Sequence, residues 1–150
     1  QIRKRGLKNT LLLPYQPFEK LPDSLTACDA SFVTIAKGIE GISFPSKLYS
    51  SLAVGRPIIA ISEERSELKD LVDTHDVGRW FKVGDSKGLA EGLRQMMADR
   101  AKTEQQGHNA RALFEREFTL EAAGEKYAKV LQAAFPPGAP APKPSGYVAT

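Results

Sequence analysis

The chain has 150 residues, 41% of them hydrophobic and 26% charged, with a net charge of +3. That balance describes one globular domain able to bury a core, and it is too mild a basic excess for a nucleic-acid binder. The single cysteine excludes an internal disulfide and fits a reducing compartment, and no apolar run is long enough to span a bilayer.

The sequence opens on Gln with no signal peptide, so a cytoplasmic piece of a longer chain is expected. Arg3, Lys4, Arg5 and Lys8 form a basic lead-in. It reads as a solvated helix end closed by Gly6; the alternative is a tag for anionic lipid heads at the inner membrane face. Leu11, Leu12 and Leu13 follow Asn9-Thr10 and read as a short buried strand. Pro22 and Asp23 start a helix through about Ala27, with Leu21 and Leu25 turned inward. Cys28 then reads as a core thiol, because nothing beside it would lower its pKa.

The β-branched and aromatic run Phe32-Val33-Thr34-Ile35 reads as a strand. A glycine-bearing loop follows, and Pro45-Ser46 opens a short helix with Leu48 and Leu52 on one face. Ser46 has the chemistry of an N-cap, and Gly55 that of a helix stop. Such a helix start offers free N–H groups beside small residues and suits a phosphate. An ordinary strand-loop-helix unit has the same pattern, and pattern alone favours it. Pro57 begins another strand through Ile61.

Ser66 caps a helix carrying Leu68, Leu71 and Val72, after a charged loop from Ser62. Residues 76–83 read as a turn and then a strand, with Trp80 a core or half-buried anchor. Asp85 caps a helix whose Leu89, Leu93, Met96 and Met97 share a face. Residues 104–118 form an amphipathic helix, and Thr119 caps a last one with Tyr127, Val130 and Leu131. Residues 135–150 form a Pro-rich tail expected to be disordered. His75 and His108 have no partners at metal spacing, so neither a metal nor a cofactor is expected. Strands alternating with helices predict an α/β fold with a mainly parallel, Rossmann-like sheet.

Glu40-Gly41, the run from Pro45 to Tyr49, and the run from Leu52 to Ile59 resemble the donor-binding signature of GT-B glycosyltransferases. The nearest likeness is the retaining family 4 (group 1) branch, which includes colanic-acid-type exopolysaccharide enzymes. It extends from about Leu11 to Leu131, and Leu21-Pro22 and Cys28-Asp29-Ala30 belong to it. The resemblance implies a hexosyltransferase that binds a nucleotide-diphospho-sugar and serves a glycan or lipid-linked acceptor. It implies Glu40 on the donor-sugar hydroxyls. Gly41, Ile42, Ser43, Phe44, Ser46, Lys47 and Leu48 would lie along the diphosphate. Ser50 stands where many relatives carry a ribose-binding Glu, and its hydroxyl is a weaker acceptor. Residues 62–66 would line the same pocket.

The family's domain has six strands, and this chain matches strands three to six. Residues 1–134 are therefore expected to be a partial donor-binding domain, separated from the enzyme's N-terminal domain. Residues 11–13 and 32–35 would normally have two strands between them. The chain alone is expected to be marginal, self-associating, or rearranged so that these two segments pair. Two other readings stay open: a non-catalytic nucleotide- or phosphate-binding module, and an interaction domain using the last helix and the tail.

Overall fold

A computed structural model of the chain describes residues 2–42 and 44–135. After a single 3-10 turn at Phe18–Lys20, the elements are α1 Leu21–Thr26, β1 Ser31–Thr34, α2 Lys47–Ala53, β2 Ile58–Ser62 and α3 Glu67–His75. They continue as β3 Gly78–Lys82, α4 Ser86–Ala98, α5 Arg100–Glu117 and α6 Leu120–Ala134. The three strands form one parallel sheet in the order β1-β2-β3. Phe32 lies opposite Ile59, and Ile59 opposite Arg79. The Rossmann-like α/β expectation is met.

Alternation along the strands sorts the side chains onto two faces. Val33, Ile35, Ile58 and Ala60 pack with Leu48 and Leu52 of α2, Leu68 and Val72 of α3, and Ala110 and Leu113 of α5. This is the main core. On the other face, α4 lies against β3: a Cβ on Gly92 would fall 2.3 Å from the Phe81 ring. Met96 of α4 is buried there, while Met97 is 76% exposed, so the expected four-residue apolar face is narrower than its spacing implied.

Local chemistry starts most of the helices. Ser66, Asp85 and Thr119 each accept a hydrogen bond from a backbone N–H in the first turn of their helix, as expected. Asp99 caps α5 in the same way.

The turn between α3 and β3 is tied to α5 by side chains. Asp76, in the left-handed region at φ 47°, accepts from Lys102 at 2.5 Å and from Gln106 at 2.9 Å. Gln106 is buried and also donates to the Gly78 carbonyl, and Asn109 donates to the Asp76 carbonyl. The Lys102 and Gln106 hydrogen bonds hold the Asp76 carboxyl below the ordinary carboxylate range.

Several expectations near the start of the chain fail. Residues 11–13 form no strand, and their leucines are 79%, 72% and 67% exposed. A strand exists through its ladder, and no described strand stands beside this segment. Direct pairing of 11–13 with β1 does not occur, and β1 is bonded to β2 alone among the described residues. α1 forms close to where it was expected, but it buries none of its residues, and Leu21 is 42% exposed. Cys28 is accordingly half-buried and not a core thiol; it donates weakly to the Leu25 carbonyl. Most of the tail, residues 136–150, lies outside the described residues.

Candidate functional site

Parallel strands deliver their following loops to one end of the sheet. Ile35 N–H bonds the Ile61 carbonyl at 2.9 Å, and Val83 N–H bonds the Ser62 carbonyl at 3.2 Å. The loops after β1, β2 and β3 therefore leave side by side at the carboxyl edge, where open α/β sheets bind ligands.

The loop after β1 carries most of the expected site. Gly38 and Gly41 sit at φ +87° and +74°, a region that side chains resist, and the chain reverses at each. Between them, Glu40 turns back and its Oε2 accepts from the Gly38 N–H at 2.8 Å. Its other oxygen, Oε1, is shielded from solvent and has no hydrogen-bond partner among the described residues. A half-buried carboxylate with one oxygen satisfied and the other unpaired among the described residues can accept from a ligand donor.

The other expected residues differ in burial. Gly41, Ile42, Ser46 and Lys47 are exposed at the loop and helix start. Phe44 is half-buried against the core, with its ring 5.9 Å from that of Tyr49, which in turn meets Phe118 at 5.1 Å. Leu48 is fully buried, so its side chain belongs to the core. Ser43 lies outside the described residues.

Two details of the helix start differ from expectation. Ser46 occupies the cap position but is itself helical, φ −58° and ψ −27°, and its hydroxyl caps nothing. A helical residue carries its oxygen away from the N–H groups above it. Some amides are also spoken for: Ile42 donates to the Ile39 carbonyl and Leu48 to that of Pro45. Ser50 donates back to the Lys47 carbonyl at 3.0 Å, within α2.

At the end of β2 the structure adds a polar cluster. Ser62 is fully buried, and its Oγ lies 2.6 Å from the Oγ of the buried cap Ser66. The Trp80 indole donates to Ser62 Oγ at 2.9 Å. Trp80 is half-buried against the core as anticipated, but its polar partner is 18 residues away and had no local signal. A small cavity of about 170 Å³ opens at the same edge between β2, β3 and α4, bordered by Ile61, Phe81 and Asp85.

A larger cavity lies elsewhere. An open groove of about 880 Å³ lies by the amino ends of β1 and β2, between Phe32, Pro57, Ile59, Met97 and Arg100. None of the expected site residues borders it. Its size reflects the uncovered face beside β1, where Phe32 is 43% exposed, and the carboxyl edge remains the better site on chemistry. Among the described residues, no group of three His, Cys, Asp or Glu is placed to hold a metal, and no helix is long and apolar enough to cross a membrane.

Comparison with known proteins is consistent with this geometry. A family model described as "Glycosyl transferases group 1" matches residues 1–113. WbjE of Pseudomonas aeruginosa, a glycosyltransferase by name, is 36% identical over 66 residues, 44% of this chain and 16% of its own length. WcaI of Escherichia coli, by name a colanic acid biosynthesis glycosyl transferase, is 30% identical over 96 residues, 63% of this chain and 24% of its own. The chain thus spans a quarter or less of these relatives. The fold matches crystal structures of Anabaena HepE with UDP-glucose and with UDP, at TM-scores of 0.69 and 0.70 and 22% identity, over 88% of this chain and 35% of that one.

Proposed function

Because the chain belongs to the group 1 glycosyl transferases, we propose that it is the donor-binding part of an enzyme that moves a hexose from a nucleotide-diphospho-sugar to a glycan or lipid-linked acceptor. The observation that carries this reading is Glu40 Oε1, an acceptor in the loop after β1 without a partner among the described residues. Sugar hydroxyls are donors of the kind it lacks. HepE, of the same fold, was crystallised with UDP-glucose, which makes a uridine donor the first to try.

No residue of the loop is a convincing general base. The chemistry rests on positioning the donor and stabilising the diphosphate that leaves, with retention at the sugar. Lys47 and the amides beside Ser46 would face that diphosphate, and Ser50 the ribose. The acceptor would be held by a second domain of the same enzyme, docked along α6. Arg3, Lys4, Arg5 and Lys8 would favour a cytoplasmic enzyme resting against an anionic membrane face.

The test is amide chemical-shift mapping with UDP and UDP-glucose. Shifts confined to residues 38–50 and 62–66, larger with the sugar present, support the reading. Saturating donor that leaves residues 38–50 unmoved overturns it. Equal shifts with UDP and UDP-glucose would favour a nucleotide-binding module without sugar transfer.

A further inference from the structure

We propose that Trp80 is a positioning residue: through Ser62 its indole N–H fixes residues 63–65 as the second wall of the donor site. This inference rests on the donor-site reading above.

Three observations converge. First, Ser62 is the last residue of β2, and β2 is the hydrogen-bonded neighbour of β1. Adjacent strands lie about 4.8 Å apart, so residues 63–65 emerge directly beside the Glu40 loop. Second, both ends of this short loop are pinned by buried hydroxyls. Ser62 Oγ and Ser66 Oγ lie 2.6 Å apart, and Ser66 Oγ also accepts from the Lys69 N–H. Third, an indole N–H can only donate. Its bond to Ser62 Oγ directs the serine's own proton toward Ser66 Oγ or toward the Glu63 carbonyl, 3.2 Å away. One donor on β3 thereby ties Ser62, and through it Ser66, the two hydroxyls that hold the loop.

Packing alone does not account for this arrangement. A phenylalanine at position 80 would fill most of the same half-buried space beside the core without offering a donor. The indole adds a hydrogen bond that reaches from the third strand to the loop of the second. The loop carries Glu63, Glu64 and Arg65, and a fixed backbone lets such side chains meet a ligand without first being ordered.

The experiment compares wild type, Trp80→Phe, Ser62→Ala and the double variant of the whole chain. It reads UDP-glucose affinity by calorimetry and amide hydrogen exchange. Each single variant is expected to weaken UDP-glucose by about two- to tenfold, the size of one hydrogen bond. The double variant should weaken it no further than the stronger single one. Exchange should accelerate at residues 63–65 while the β2 ladder amides keep their wild-type protection. Unchanged affinity in Trp80→Phe overturns the proposal while leaving the donor site intact. Additive losses in the double variant overturn it as well. Absence of UDP-glucose binding in the wild type overturns the donor-site reading and this inference together. If Trp80→Phe does not fold, Ser62→Ala alone reads the same tether, and unchanged affinity there is equally fatal.

Discussion

Gly55 and Gly107 meet backbone to backbone: a Cβ on Gly107 would fall 2.6 Å from the Gly55 carbonyl oxygen. Gly55 ends α2 in the left-handed region at φ +66°, and Gly107 lies in the middle of α5. The contact seats α5 against the α2–β2 connection, beside Pro57 at 3.4 Å from that same Cβ position. In an isolated helix, alanine would be favoured over glycine by up to about 1 kcal/mol. Here the backbone oxygen cannot step aside. Gly107→Ala is therefore expected to destabilise the chain by roughly 1–3 kcal/mol, the usual cost of overpacking. Urea unfolding measures it, and a more stable variant would mean that α5 does not approach so closely.

A second expectation concerns acid. The Asp76 carboxyl is held below its ordinary range by Lys102 and Gln106, so the charged form is favoured by folding. Its contribution is complete above the unfolded-state value of about 4 and is lost as pH falls through the lower folded-state value. Asp76→Asn keeps a residue that tolerates φ 47° and removes the charge. Because the carboxyl is 45% exposed, the loss at neutral pH should stay near 1 kcal/mol or less. The variant should also show a shallower decline of stability below about pH 4. Thermal melts from pH 2 to 7 check both; parallel curves for the two proteins would remove Asp76 from the account.

Glu40→Ala should leave melting nearly unchanged, since the side chain makes one loop hydrogen bond, to Gly38. Donor affinity should fall by roughly 1.5–3 kcal/mol, the worth of a hydrogen bond to a charged acceptor. Titration with UDP-glucose at matched temperature decides. Wild-type affinity would reduce Glu40 to a loop-shaping residue.

Two leucines should behave in opposite ways. Leu113 is 2% exposed within the main core, so Leu113→Ala should cost about 2–5 kcal/mol. Leu131 is 57% exposed on α6, and Leu131→Ser should change stability by no more than about 0.5 kcal/mol in this chain. A large loss at position 131 would show that α6 is covered, for example by another copy.

Much of this was legible in the sequence wherever the deciding chemistry is local. Ser66, Asp85 and Thr119 act on N–H groups three residues away, so their roles follow from neighbours. The parallel sheet followed from the strand–helix alternation. Residues 11–13 misled because apolar, turn-bounded sequence measures the capacity to pair, and pairing needs a partner. Ser46 misled because Pro45 begins a turn that draws it into helical geometry before it can cap. The spacing of Leu48 and Leu52 already marked the face of α2 that enters the core. The Asp76, Gln106 and Asn109 cluster joins residues 30 or more apart, and Trp80 finds Ser62 across the sheet. No window along the chain contains those bonds.

The position of α5 also bears on how the chain is made. This helix packs on α2, α3, α4, α6 and β3, and its Ala110 and Leu113 close the main core. The last strand ends at Lys82, but α5 ends only at Glu117, about 35 residues later. At about 5–20 residues per second, a ribosome needs on the order of 2–7 s to cover that distance. Throughout that interval the main core is lined by α2 and α3 but lacks Ala110 and Leu113, so it stays only partly closed. The nascent chain is then most vulnerable to aggregation and to chaperone capture, and a pause in translation between β3 and α5 would lengthen that exposure.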